Sequence, residues 1–337
     1  MKSKKWLSFF AAATLAVTLV TGTNMTLSAA TVTDQSSSES TVPGNSEEEG
    51  AGNAESTETD SQAPETDKDE ESGLPKRGES ITPTTGDKKS TYKVTVQGEE
   101  VEYTGTTSTK ASITIPATVK DTNGITYKVT SIKTGVFKDD KKITSVTIGK
   151  NVKTIGVNAF SGCAKLTKVT MGKNVEVIKA NAFLGCTKLE RISIGTNAKT
   201  IGASAFSGCT RLTKATIGKN VETIGASAFS GCTRLTQITI GKNVKTIKAN
   251  AFLGCTKLTQ VTITKNVETI GASAFQGCRS LGTVKINSEK LKKVNKNAFK
   301  DTKPNIVIKV PAKKFNDYKA LFENAGLSKY AKFQKRK

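Results

Sequence analysis

Six cysteines stand 23 residues apart, at Cys163, Cys186, Cys209, Cys232, Cys255 and Cys278, each inside a near-copy of one phrase such as LTKATIGKNVETIGASAFSGC (212–232). A fixed period of this size is the signature of a solenoid, in which a short unit cannot bury its apolar face alone and stacks on its neighbours. Each position of the repeat then becomes a column running along the molecule. This constrains fold and function together, because a column required for stacking is poor grounds for a catalytic site.

Full coils begin at Ile143, Leu166, Leu189, Leu212, Leu235 and Leu258, and a longer one at Leu281, where Phe299 falls 24 residues after Phe275. A partial coil precedes them, with Val129, Ile132 and Phe137 in phase with Val152, Ile155 and Phe160. Within a coil, residues 166–171 alternate in steps of two, which predicts a half-buried strand with Val169 and Met171 inward and Lys168 and Thr170 outward. Gly172-Lys173-Asn174 turns the chain, and Val175 and Ile178 return apolar side chains to the interior. Ala182, Phe183 and Cys186 are expected to close the circuit on a short helical turn broken at Gly185. Residues 112–119 (SITIPATV) read as a further strand. Tyr92 to Tyr103 alternates like a hairpin around Gln97-Gly98 and should cap the first coil. Asn305–Val310 followed by Pro311–Ala325 reads as a strand and an amphipathic helix, closing the other end as solenoids require.

Placed in their columns, most repeated residues have a structural reading. Eight of the thirteen phenylalanines, Phe137 to Phe299, should stack as a core spine rather than line a cofactor cavity. Six cysteines in an exported chain ordinarily suggest disulfides. In-register side chains on coils about 4.8 Å apart point parallel rather than at each other, so buried free thiols are expected instead. No CxxC pair or histidine supports zinc. The asparagines Asn151, Asn174, Asn197, Asn220, Asn243 and Asn266 follow the strand and suit loop backbone groups. One column alternates in sign, Lys153, Glu176, Lys199, Glu222, Lys245, Glu268 and Lys292, and should form a ladder of opposite charges that fixes the coil register.

Other basic columns do not alternate. Lys142, Lys165, Lys188, Arg211, Arg234 and Lys257 precede the strands. Lys150, Lys173, Lys219, Lys242 and Lys265 follow them, with Thr196 interrupting. Lys168, Arg191 and Lys214 project from three successive strands. Like charges stacked this closely repel, so packing does not account for them. The structural alternative is long solvated side chains splaying apart. The functional reading is a basic strip beside the strand sheet, with Lys168, Arg191, Lys214, Lys165, Lys188, Arg211, Arg234, Lys173 and Lys219 as the candidate contacts for an acidic partner.

The pattern Leu166-x-x-Val169-x-Met171-x-x-Asn174, continued as Ile-Gly-x-x-Ala-Phe-x-Gly-Cys in Ile201 to Cys209, resembles the Treponema-type, BspA-like leucine-rich repeats of bacterial surface proteins. Ile115-Pro116-x-x-Val119 matches that family's strand ending, where later coils mostly carry glycine, as at Gly149. The resemblance covers about residues 92–326. It implies an α/β repeat solenoid, a leucine-rich-repeat superhelix of 23-residue coils with an N-terminal β-hairpin cap and a C-terminal strand-helix cap. It also implies adhesion or host interaction and carries over no catalytic residue.

The ends of the chain supply context. Lys2, Lys4 and Lys5, an apolar run from Trp6 to Val20 and the small residues Ser28-Ala29-Ala30 read as a secretory signal over 1–30, the alternative being a membrane anchor. No transmembrane span is expected after its removal. Residues 31–90 are rich in Ser, Thr, Glu and Asp and should form a disordered acidic linker. The expected organisation continues with an N-terminal β cap (91–124), the repeats (125–304) and a C-terminal cap with a basic tail (305–337). The absence of an LPxTG sorting motif points to noncovalent surface association. With +22 overall, +3 in residues 1–30 and −10 in residues 31–90 leave +29 for residues 91–337, a charge suited to polyanions.

Histidine is absent, which removes histidine triads and imidazole bases. Asp139-Asp140 and Glu99-Glu100 have no partner that spacing identifies, so no enzyme and no cofactor are expected. Export and the lack of interleaved aromatics argue against nucleic acid. The expected partner is a protein, an acidic glycan or a wall polymer. The leading function is a secreted or cell-surface binding module, and the alternative is a structural envelope protein held on anionic wall polymers.

Overall fold

A computed structural model describes residues 73–336; the expected export signal and residues 31–72 of the expected linker lie outside the described residues. Each coil makes two strands. The leading strand, for example Lys168–Thr170, is followed by a turn at Gly172 and a two-residue return strand, Val177–Ile178. Return strands pair in parallel from coil to coil, Ile155 with Ile178, Ile201, Ile224, Ile247, Ile270 and finally Val294. The isoleucines face inward and are buried.

The stretch from Ala182 to Cys186 is not helical. Its N–H groups alternate: Leu184 N–H donates three residues back to Asn181 O at 3.1 Å and Cys186 N–H to Phe183 O at 3.3 Å, while Phe183 N–H donates to Ala205 O and Gly185 N–H to Ser207 O of the next coil, both at 2.8 Å. Two left-handed residues per coil, such as Asn181 (φ 57) and Gly185 (φ 68), aim them there. The same two columns recur through Ser204, Ser227 and Gly208, Gly231. Tight i to i−3 turns alternating with bonds between coils therefore replace the i to i−4 bonds that a helical turn would need.

The core is a set of columns. Successive rings from Phe137 to Phe322 stack 5.1–5.4 Å apart. The caps extend the stack, since Tyr103 lies 5.8 Å from Phe137 and Phe333 lies 5.7 Å from Phe322. The six cysteines are free and buried. Their thiols also link successive coils, since Cys186 Sγ donates to Phe160 O at 3.2 Å and Cys209 Sγ to Phe183 O at 3.3 Å, a pattern kept along the column. Of the asparagines, Asn151 and Asn266 donate to backbone carbonyls, Ala117 O and Lys242 O, while Asn197 donates to the Asn174 side chain.

The N-terminal hairpin forms as expected, Ser90–Val96 with Glu100–Thr106 around Gly98. Glu100–Thr106 pairs in parallel with Thr126–Ile132 and so opens the stack. Residues 112–119 divide at Pro116 into Ser112–Ile115 and Thr118–Lys120. The fold begins earlier than residue 91. Ser80–Ile81 pairs with the hairpin and buries Ile81, inside the stretch 31–90 that composition assigns to linker. At the other end a helix, Phe315–Leu321, follows the strand Val307–Pro311. The basic ending is no tail: Lys332–Arg336 is a strand parallel to Val307–Pro311, and the Arg336 guanidinium donates to Ile286 O and to the Asn287 amide oxygen.

Candidate binding surface on the leading strands

Leading strands put alternate residues outward, and the register stacks them: Ser145 beside Lys168, and Lys214 between Arg191 and Gln237. Lys165, Lys168, Lys173, Lys188, Arg191, Arg211, Lys219 and Arg234 are exposed, and Lys214 is half-buried.

Two populations of cations follow from the ion pairs. In the alternating column, Lys153 binds Glu100 at 3.1 Å, Lys199 binds Glu176 at 2.7 Å, Lys245 binds Glu222 at 2.9 Å and Lys292 binds Glu268 at 2.7 Å. These are discrete pairs, each lysine reaching back one coil, and the first carboxylate comes from the cap. The donated hydrogen bonds of Lys199 and Lys292 hold the Glu176 and Glu268 carboxyls below their ordinary range. None of the nine candidate cations enters an ion pair among the described residues. The acidic groups that spacing could not assign are structural: Asp140 accepts the N–H groups of Lys142 and Ile143 at 2.6 and 3.0 Å, and Glu100 accepts from Thr130 and Lys153.

The leading strands do not form one continuous sheet. Their ladder runs through Ser112–Ile115, Ser145–Ile148 and Lys168–Thr170, stops, resumes at Arg191–Ser193, and stops again between Gln237–Thr239 and Gln260–Ile263. At the first interruption lies a groove of ≈ 650 Å³, floored by Val169 and Ile192 and rimmed by Lys168, Arg191, Lys214 and Glu190. A hollow of ≈ 280 Å³ beside it gathers Arg191, Arg211 and Arg234. The structure thus brings five of the nine candidates to two adjoining depressions; Lys165, Lys188, Lys173 and Lys219 line neither.

The groove was missed from the sequence, although a signal for it exists. The phrase IKANAFLGC occurs at 178–186 and again at 247–255, in the two coils after which the ladder stops. There Lys179 and Lys248 replace the glycine found at Gly156, Gly202, Gly225 and Gly271. A Cβ on those glycines would meet backbone of the preceding coil at 2.4–2.6 Å. Lys179 and Lys248 keep the return-side bond all the same, their N–H groups donating to Ile155 O and Ile224 O at 3.0 Å as Gly156 and Gly225 donate to Ile132 O and Ile201 O, so the phrase marks the coils after which the leading ladder stops while the return ladder continues.

Among the described residues no cluster of three or more His, Cys, Asp or Glu is placed to hold a metal. No helix among them is long and apolar enough to cross a membrane.

A stack of 23-residue coils with a consensus leucine, an asparagine turn and a phenylalanine spine defines a leucine-rich-repeat solenoid. Six copies of the BspA type leucine rich repeat region match residues 113–236 and 199–329, more than half of the 337 residues, and the chain belongs to that family. No curated protein matches it. Among solved structures it is similar to a leucine rich cell surface protein from Faecalibacterium prausnitzii, with 26% identity, TM-score 0.54, and coverage of 67% of this chain and 70% of that one. It is also similar to a leucine rich repeat protein of T. pallidum, with 26% identity, TM-score 0.52, and coverage of 58% of this chain and 90% of that one.

Proposed function

We propose that this protein is a secreted or cell-surface binding module that meets an acidic protein or glycan partner through the leading-strand face. The observation that carries this reading is the division of its cations. The four lysines of the alternating column each meet a carboxylate, Lys153 that of Glu100 in the cap and the others that of the neighbouring coil, whereas the strip cations, exposed apart from the half-buried Lys214, enter no ion pair among the described residues. Stacking like charges about 4.8 Å apart costs stability, so a partner that neutralises them gains what the free protein lacks. A rigid stacked sheet suits a broad contact. The family and its cell-surface relatives support a non-enzymatic scaffold at the cell surface.

The test is an array of matrix proteins, mucins and anionic wall polymers probed with the full chain at low and high salt. Acidic members should bind, with affinity falling as salt rises. Binding confined to neutral ligands, or indifferent to salt, would refute the electrostatic reading. Binding confined to wall polymers would favour an envelope role, which the charge of +29 over residues 91–337 also suits.

A further inference from the structure

The two interruptions of the leading-strand ladder are 69 residues apart and form an internal comparison. Both follow a coil with the phrase IKANAFLGC, so the opening is a property of that coil type. Their apolar residues match: Val169 and Ile192 at the first and, at the equivalent positions, Ile238 and Val261 at the second, with Val169 and Ile238 half-buried. Their rims do not. Gln237, Gln260 and Thr283 occupy the positions that Lys168, Arg191 and Lys214 hold in the first. The second in turn has Lys285 for Thr216 and Thr259 for Glu190. The same break in the ladder is therefore flanked by one acid and three cations that enter no ion pair among the described residues in one place, and by a single lysine in the other.

We infer that the first opening is a discrete recognition groove for an acidic protein segment carrying an apolar side chain. The inference rests on the binding role proposed above and narrows its ligand. Lys168, Arg191 and Lys214 surround a floor of Val169 and Ile192, so carboxylates at the rim and one aliphatic or aromatic side chain on the floor are satisfied together. A uniformly charged polymer suits the groove less well, because it offers the floor nothing and meets the Glu190 carboxylate on the rim.

The experiment exchanges the rims in the full chain. Lys168→Gln, Arg191→Gln and Lys214→Thr import residues the protein already carries at the equivalent opening, so the fold tolerates them. Gln237→Lys, Gln260→Arg and Thr283→Lys make the reciprocal graft. Fluorescently labelled glutamate decapeptides with a central leucine or a central serine, and a sulfated glycan, serve as probes. The leucine peptide should bind more tightly than the serine peptide, lose about tenfold or more in affinity with the first set, and gain a second site with the graft. If the leucine peptide ignores both exchanges yet is lost when Lys165, Lys188, Arg211 and Arg234 are reversed to glutamate, the groove inference is overturned and the broader reading stands. Equal binding of the serine peptide, or tighter binding of the sulfated glycan, overturns the peptide class. Binding of no acidic probe overturns both readings.

Discussion

Alkali should unfold this protein abruptly, because its central cysteines can ionise only in the unfolded chain. Cys186, Cys209, Cys232 and Cys255 are fully buried, and each Sγ donates to a phenylalanine carbonyl of the preceding coil at 3.2–3.3 Å. Burial pushes the Cys186 and Cys209 thiols well above the ordinary 9.0 and the Cys232 thiol to about 12. For Cys255 a hydrogen bond with the Cys278 thiol raises it first and burial adds to it. Since the folded values lie above the unfolded one, the stability is fully present below pH 9.0 and is lost as pH climbs toward the folded values. Each thiol ionised only in the unfolded chain favours unfolding by ~1.4 kcal/mol per pH unit, so the four together supply ~5 kcal/mol per unit. Against a typical stability of about 5–15 kcal/mol, the fold should fail one to three units above pH 9.0. Lysine deprotonation relieves repulsion over the same range and acts the other way. The diagnostic is therefore coincidence: thiolate ultraviolet absorbance and loss of circular dichroism should rise together, and Cys209→Ala with Cys232→Ala should roughly halve the slope. Thiolate absorbance developing near pH 9.0 in a chain with native dichroism would refute the buried column.

Phe229→Ala should cost ~3–5 kcal/mol, because its buried ring stacks on Phe206 at 5.3 Å and Phe252 at 5.4 Å. Coils touch only their neighbours, so urea unfolding should also split into two transitions; a single transition with a loss below ~1 kcal/mol contradicts the spine. Acid should weaken the fold mildly. The contributions of Glu176 and Glu268, whose carboxyls lie below the ordinary 4.5, are present above that value and lost as pH falls through the lowered ones. Melting temperatures followed downward from pH 6 should therefore drop least in Glu176→Gln with Glu268→Gln.

Periodicity made the fold legible because a solenoid converts sequence position into space directly. Leu166, Phe183, Cys186 and Ile178 each stand for a column, and their burial follows from one coil. Periodicity does not report where backbone N–H groups go, and so Ala182–Cys186 reads as a helical turn although it is a pair of tight turns whose alternate N–H groups bond to the next coil. The thiol donation to phenylalanine carbonyls was hidden for the same reason, since it joins Cys186 to Phe160 across the stack. Averaging over 23 residues also conceals departures from the average. Lys179 and Lys248 look like scattered substitutions of a glycine column until they are seen to recur in the same phrase, in the two coils after which the leading ladder stops. The limits of the folded part escaped composition because single apolar residues decide them, Ile81 at one end and Phe333 at the other.

The separation of paired from unpaired cations is tested most directly by two charge-matched variants of the full chain. One carries Lys168→Glu, Arg191→Glu, Lys214→Glu and Arg211→Glu; the other carries Lys153→Glu, Lys199→Glu, Lys245→Glu and Lys292→Glu. Both remove the same net charge, and their affinities for one acidic probe are compared at fixed salt. The expected result is that the first variant loses binding while the second retains most of it, despite melting at a lower temperature. Equal loss in both would show that only net charge matters and would contradict a binding face built on the leading strands.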